Sequence, residues 1–340
     1  MTHGEVWRRQ FALGLESTPG TAVAATRRVY LQDGSIDDPR EPTAHEFDTG
    51  DVNRIRAVTL GSVQAAGAGT LQTSAEELVE WALIGYQGAV TPVAVPAETG
   101  NQMWTFIPST SIASATMEVD RTGAAGGLFK MAGTRVNQFT FAANVTGPAT
   151  AELELFGTDV TTLTSFAAVA QRDIRFVQGY QMRFYVDTGG TATWGTTVAP
   201  TELPGTLMNY QVQVQRNLAR VYTADNTLGA NAVVMQTLNV TGTYTVKAAS
   251  SQVAAQLTAY TAETNRLVRV KHIGPVSETG MFAGTSREVD IDVAGKWTGR
   301  QLSGTDQGVA TYQFTIQGVY DSTLAFTTRL RLKNARTTAW

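Results

Sequence analysis

Apolar and polar residues alternate with a period of two through most of this 340-residue chain. In the stretch Leu207–Arg216, Tyr210, Val212 and Val214 fall on one side, and Gln211, Gln213 and Gln215 on the other. Successive strand residues point to opposite faces, so such a stretch forms a strand with one buried side. The same alternation runs through Thr237–Val246, Arg287–Ala294 and Val309–Gln317. Their Val, Ile, Thr, Tyr and Phe content suits a pleated, half-buried surface. The pattern restricts the chain to a mainly β fold.

Two segments break the period. In Ser74–Gly85, Leu78, Trp81, Ala82 and Gly85 recur at helical spacing. Ser74 can cap this helix, with Glu77 three residues on to complete a capping box. In Ser250–Glu263 the stripe is Val253, Leu257 and Tyr260. Residues 33–52 carry turn formers and charges without a period and are expected to form a long loop, and residues 187–206 an extended loop or hairpin arm; in an assembly such segments dock onto neighbours.

The chain also repeats itself. Gly147, Ala149, Thr150 and Gly157 recur without gaps as Gly308, Ala310, Thr311 and Gly318. Glu152, Leu153 and Leu155 recur in kind as Gln313, Phe314 and Ile316. Gly67–Gln72 precedes the first helix as Gly242–Lys247 precedes the second. Met131-Ala-Gly-Thr134 is echoed by Phe282-Ala-Gly-Thr285, ahead of the strands Arg135–Ala142 and Arg287–Ala294. A tandem duplication is expected, with one domain over residues 1–165 and a second over 166–340 that ends in an arm at 322–340. The length agrees, at roughly 100–200 residues per domain.

Composition narrows the function. Charged residues make up 16% of the chain, against about 25% in a typical soluble protein. A surface rich in Thr, Gln and Gly suits a chain that buries much of its outside against other copies. The net charge of −3 argues against a nucleic-acid binder, which carries a basic face. There are 21 Arg and 5 Lys, a bias that suits interface ion pairs or simply reflects a GC-rich genome. Without cysteine there are no disulfides, thiolate nucleophiles or Cys-ligated metals. No apolar run of about 18 residues is present, and the first residues lack a signal-peptide core, so folding in the cytoplasm of the producing cell is expected.

Catalytic constellations are missing from the sequence. His3, His45 and His272 have no partner at metal-ligand spacing. Asp33-x-Ser35-x-Asp37 opens like a calcium loop, but Asp38 and Ala44 stand where Gly and Glu are needed. The Gly-rich string Gly123–Gly127 has no following Gly-Lys-Ser/Thr. Neither an enzyme nor a cofactor is therefore expected. The acidic strand faces, Glu152 with Glu154 and Glu288 with Asp290 and Asp292, allow three readings: a solvated sheet face, paired catalytic carboxylates, or the lining of a channel.

Several landmarks together resemble the tail tube proteins of long-tailed bacteriophages. They are the Glu-x-x-x-Gly-Thr motif of Glu16–Thr21, the helix Ser74–Gly85, the stretch Ala132–Phe141, Gly318–Asp321 and Leu332–Asn334. The resemblance implies tandem tail-tube-like β-sandwich, barrel-forming domains, each with one flanking α-helix on the outside. It implies that sheets from neighbouring domains join around a ring into an inner barrel. Six domains normally make that ring, so a two-domain chain implies a homotrimer with pseudo-six-fold symmetry. Stacked rings would form a DNA conduit in the virion tail, with other tail proteins at its ends, no specific DNA binding and no membrane. Lys or Arg in the lumen would grip phosphates, whereas acidic or neutral residues would not. Glu152, Glu154, Glu288, Asp290, Asp292, Gln313 and Gln317 are the expected lumen-facing residues. Asp37, Asp38, Arg40, Glu41, Arg329 and Arg331 are the expected ring-stacking residues. The rival readings are a porin-type transmembrane β-barrel and another virion protein, such as a tail terminator or a capsid decoration protein.

Overall fold

Strands hold 57% of the residues and helices 7%, the mainly β fold that the alternation predicts. The computed structural model describes residues 9–40, 42–46, 55–96, 98, 100–121, 127–172, 174–187, 201–224, 230, 232–248, 251–276, 286–306 and 308–340. An N-terminal series runs β1 (Gln10–Leu15), β2 (Arg27–Val29), β3 (Asp33–Asp37), β4 (Pro42–Glu46), β5 (Ile55–Leu60), β6 (Ala66–Gln72), α1 (Leu78–Gly85), β7 (Val93–Ala94), β8 (Gln102–Phe106), β9 (Ala115–Asp120), β10 (Leu128–Asn144), β11 (Thr150–Phe156) and β12 (Asp159–Thr162). A C-terminal series runs β13 (Met182–Val186), β14 (Thr201–Glu202), β15 (Leu207–Gln215), β16 (Leu218–Val221), β17 (Ala232–Met235), β18 (Asn239–Lys247), α2 (Ser251–Thr261), β19 (Asn265–Val276), β20 (Ser286–Asp306), β21 (Val309–Gly318) and β22 (Thr328–Asn334).

The two series pair in the same way. β1 lies between β2 and β9, as β13 lies between β14 and β19. β3, β6, β11 and the second half of β10 form a four-strand run, as do β15, β18, β21 and the second half of β20. The first half of β10 turns to pair with β9 and β12, and that of β20 with β19 and β22. The hairpins β4–β5 and β16–β17 occupy corresponding places. Among the described elements, only β7 and β8 lack a counterpart in the second series.

The ladders also correct one step of the sequence alignment. Arg135 pairs with Phe156, and Lys296 pairs with Gln317. Residues 135–142 therefore correspond to 296–303, not to 287–294. Period-two patterns match at many offsets, and only pairing sets the register. Phe282–Thr285 lies outside the described residues. The Gly67–Gly242 match holds in space, since Gly67 faces Leu155 and Gly242 faces Ile316.

The two series are not separate bodies. The second half of β10 pairs with β15, from Gln138–Gln215 to Asn144–Asn209. This joint makes one antiparallel sheet of eight strands, in the order β3-β6-β11-β10-β15-β18-β21-β20. β22 crosses back to pair with β8, from Leu330–Phe106 to Asn334–Gln102. One large apolar core runs through both series and includes Trp81, Trp104, Phe139, Phe141, Tyr244 and Phe314, beside a small cluster of Leu267, Ala294 and Phe326. The segment 322–340 is consequently not a free arm. Leu330, Leu332 and Asn334 are buried in the sheet, and Trp340 packs on the core.

The helices differ from each other. All eight residues of α1 are buried, so it lies inside the molecule and not on its outside as the resemblance implied. Its sequence, Leu-Val-Glu-Trp-Ala-Leu-Ile-Gly, is apolar almost all round, and such helices are enclosed. Ser74 Oγ accepts the Glu77 N–H at 3.1 Å, which is half of the expected capping box. The Glu77 carboxylate instead accepts the Tyr30 N–H at 2.9 Å. α2 is amphipathic, with Val253 buried and Ala254 and Thr258 exposed, and it rests against β20.

Candidate functional site: the polar face of the eight-stranded sheet

Alternation gives the long sheet two unlike faces. One carries Ile36, Leu153, Phe139, Val212, Tyr244 and Phe314 into the core. On the other, a direct cross-strand row runs Asp33, Thr70, Glu152, Thr140, Gln213, Thr241 and Gln317, and closes on Lys296. A neighbouring row runs Ser35, Ala68, Glu154, Gln138, Gln215 and Asn239. Gln313 occupies the same face between Thr245 and Gln301. The face thus brings together Glu152, Glu154, Gln313 and Gln317 from strands far apart in sequence. Short polar bonds hold its side chains. Asn137 Nδ2 donates to Glu154 at 3.0 Å, and Gln317 Nε2 donates to Asn239 Oδ1 at 2.9 Å.

Glu288, Asp290 and Asp292 are elsewhere, which corrects their expected place on this face. They lie on the first half of β20, in the second layer, between β19 and β22. Asp290 and Asp292 are buried. Arg269 and Arg329 reach Asp292 at 2.5 and 2.8 Å, and Arg331 reaches Asp290 at 2.6 Å. Lys271 and Lys333 hold Glu288 at 2.6 and 2.7 Å. Burial pushes the Asp292 carboxyl up, but Arg269, Arg329 and Arg331 outweigh it and hold the group below its ordinary range. The physical reason is pairing: each acid sits directly between two cationic strands, so its charge is neutralised within the sheet. Arg329 and Arg331 are engaged in the same ladder, which takes them out of the ring-stacking set.

The remaining stacking candidates cluster beyond β3. Asp37 is exposed on the strand, and Asp38 takes two hydrogen bonds from Arg40 at 2.9 and 2.6 Å. Glu41 lies outside the described residues, as do His3 and residues 47–52 and 188–200 of the two expected loops. Residues 33–37 and 42–46 are strands where a loop was expected.

The structure reveals further residues that join the two series. Arg216, at the end of β15, is fully buried and donates to the carbonyls of Gly85 at 2.8 Å, Tyr86 at 3.1 Å and Ser109. It satisfies the C-terminal end of α1, where carbonyls lack helical partners and a cation is favoured. Burial lowers its pKa to about 10. Arg172, in the linking stretch, ties Glu80 at 2.6 Å and Glu77 at 3.2 Å. Asn334 Oδ1 accepts Trp104 Nε1–H at 3.1 Å, and Asn334 Nδ2 donates to Ala75 O at 2.6 Å. Asn334 falls in a motif of the resemblance and Arg216 directly after a strand, whereas nothing in the sequence around Arg172 marks its role.

His272 is buried and shares a 2.8 Å hydrogen bond with the Tyr210 hydroxyl. Burial lowers it to about 4, so it is a neutral packing residue at neutral pH. His45 meets Thr59 Oγ1 at 2.9 Å within the β4–β5 hairpin. Among the described residues no group of three or more His, Cys, Asp or Glu is placed to hold a metal. No helix among them is long and apolar enough to cross a membrane. No protein-family model matches the chain, and a search of curated proteins returns no significant relative.

Proposed function

We propose that this chain is a structural subunit of a bacteriophage tail tube, in which three copies form a ring and stacked rings form a passive conduit for DNA. The observation that carries this reading is the eight-stranded sheet. It presents one continuous face on which Glu, Gln and Thr predominate, with Arg135, Lys247 and Lys296 towards its ends, while its other face is filled by core. The central Glu, Gln and Thr rows offer phosphates little to grip, because counterion release needs Lys or Arg, and the cations of this face stand at its ends. Each chain supplies two four-strand runs of matching topology, so three chains supply six. We take the matching runs as the product of a tandem duplication. The subunit has no catalytic role in this reading, meets other tail proteins at the tube ends, and resides in the virion after synthesis in the host cytoplasm.

The porin reading has less support. A membrane barrel turns its apolar face to lipid. Here the apolar face packs against α1, α2 and the second layer. Negative-stain microscopy of the purified chain tests the proposal. Rings or hollow tubes are expected, and monomers alone at high concentration would sink it.

A further inference from the structure

Among the described residues the eight-stranded sheet ends on two edges that no strand pairs, although on β3 the Arg121 guanidinium donates to the Ile36 carbonyl and an added strand would displace it. Within the described residues β3 pairs only with β6. The second half of β20 pairs only with β21. An open groove of about 530 Å³ runs along β3, lined by Asp33–Asp37, Ala68–Thr70, Arg9 and Arg121. On β20, Leu302 is 61% exposed. Its counterpart in the first series is Phe141, which is fully buried because β15 lies beside it. An unpaired edge with an exposed leucine is a template for another strand.

We propose that copies of this chain join head to tail by strand addition, the free edge of β20 in one copy pairing with β3 of the next in the register of the internal β10–β15 joint. The register follows from the matching ladders. Residues 135–142 correspond to 296–303. Thr70 pairs with Asp33, and its counterpart Thr245 pairs with Asn209, so Asp33–Asp37 correspond to Asn209–Gln213. Within the chain, Thr140 faces Gln213, Phe141 faces Val212 and Phe139 faces Val214. Between copies, the same joint sets Gln301 opposite Asp37, Leu302 opposite Ile36 and Arg300 opposite Asp38. An apolar pair inside the chain is thus replaced between copies by Arg300 facing Asp38, which Arg40 already holds within its own chain. Regular pairing ends after Leu302, where β20 carries an irregularity against β21.

The hairpins support the same contact. β16–β17 clasps the first series, with Arg220 stacked 3.8 Å from the Phe156 ring and Tyr222 donating to Val63 O at 2.7 Å. Its counterpart, β4–β5, follows directly after β3 and holds exposed Ile55, Val58 and Leu60. The surface that corresponds to its seat lies beside Gly318, where Val319 and Tyr320 are exposed. A head-to-tail contact of this kind closes into a ring if the rotation permits. As a ring contact the joint rests on the tube reading, while its register is argued from the chain's own internal pairing.

The chain has no cysteine, so an introduced pair reports cleanly. The variant carrying Gln301→Cys and Asp37→Cys should give a ladder of covalent oligomers on oxidation. A control carrying Gln313→Cys and Asp37→Cys, one strand further from the edge, should not. Equal cross-linking in both, or assembled particles without the Gln301–Asp37 link, would overturn the joint and leave the tube reading standing. A ladder without rings or tubes would support the joint and count against the tube. Leu302→Asp, at an exposed position, should leave thermal unfolding unchanged and shift sedimentation towards monomer. Wild-type assembly in that variant would also overturn the joint.

Discussion

The carboxylate of Glu16 accepts the backbone N–H of Gly133 at 2.8 Å, across 117 positions of chain. The same side chain accepts the Thr116 hydroxyl at 2.8 Å and the Gly20 N–H at 2.8 Å. Two landmarks of the resemblance, Glu16–Thr21 and Ala132–Phe141, thus meet at one buried acid. Gly20 and Gly133 both have positive φ, at 83° and 64°, which glycine adopts without strain. The motif is a structural joint that ties the loop after β1 to the bend in β10.

Glu16→Ala should therefore destabilise the fold. It strands two backbone donors and a hydroxyl in a buried site, and each stranded group costs about 1–3 kcal/mol. Glu16→Gln should lose less, because it keeps an acceptor. Urea unfolding midpoints compare the two.

Arg216→Met should also unfold more readily than wild type, although it is far from any exposed face. The change leaves the carbonyls of Gly85, Tyr86 and Ser109 without their donor. A loss of about 2–4 kcal/mol is expected for such a set. Arg216→Lys should fall between, since an ammonium lacks the planar fork. Amide exchange in the last turn of α1 should rise in both variants.

Glu77 should make stability fall as pH rises. Burial, and then the nearby Glu80, raise its carboxyl from 4.5 to about 8. Between these values the folded chain holds a proton that the unfolded chain has lost, so the folded state binds more protons. This contribution is fully present below about pH 4.5 and is gone above about pH 8. Thermal unfolding of Glu77→Gln should show a flatter profile across that window.

His272 acts at the acid end with the opposite sign. Burial lowers it from 6.5 to about 4, so the folded state resists protonation. Its contribution is present above about pH 6.5 and is lost as pH falls through about 4. His272→Gln should remove this part of the acid sensitivity, read by fluorescence of the unfolding transition.

The two sets of acids should separate in assembled particles. Glu152→Lys with Glu154→Lys leaves the core untouched, since both side chains are exposed, and should slow DNA ejection. Asp292→Ala should instead cost about 3–5 kcal/mol of folding stability by leaving buried cations uncompensated. Ejection rates and denaturation midpoints of the two variants should then change in opposite assays. Unchanged ejection with Lys at 152 and 154 in intact particles would remove those residues from the lining.

Much of the fold was readable because strands and helices have different periods. Tyr210, Val212 and Val214 declared a half-buried strand, and Val253, Leu257 and Tyr260 declared a helix. Glu152 and Gln313 could be placed on matching hairpins because Gly147–Gly157 and Gly308–Gly318 align without gaps. Glu288, Asp290 and Asp292 show the same alternation as Glu152 and Glu154, yet lie in another layer. Period alone says that residues share a face and not what covers it.

By itself the sequence determined the β class, the two helices and which residues of a strand share a face, because these depend on residues two, three or four positions apart. The tertiary structure decided which strands are neighbours. It bent β10 and β20 between two layers, sealed Asp292 among three arginines and joined both series through β10 and β15. Those outcomes depend on which backbone edges meet across a hundred or more residues, and an alternating pattern is satisfied equally well by many partners.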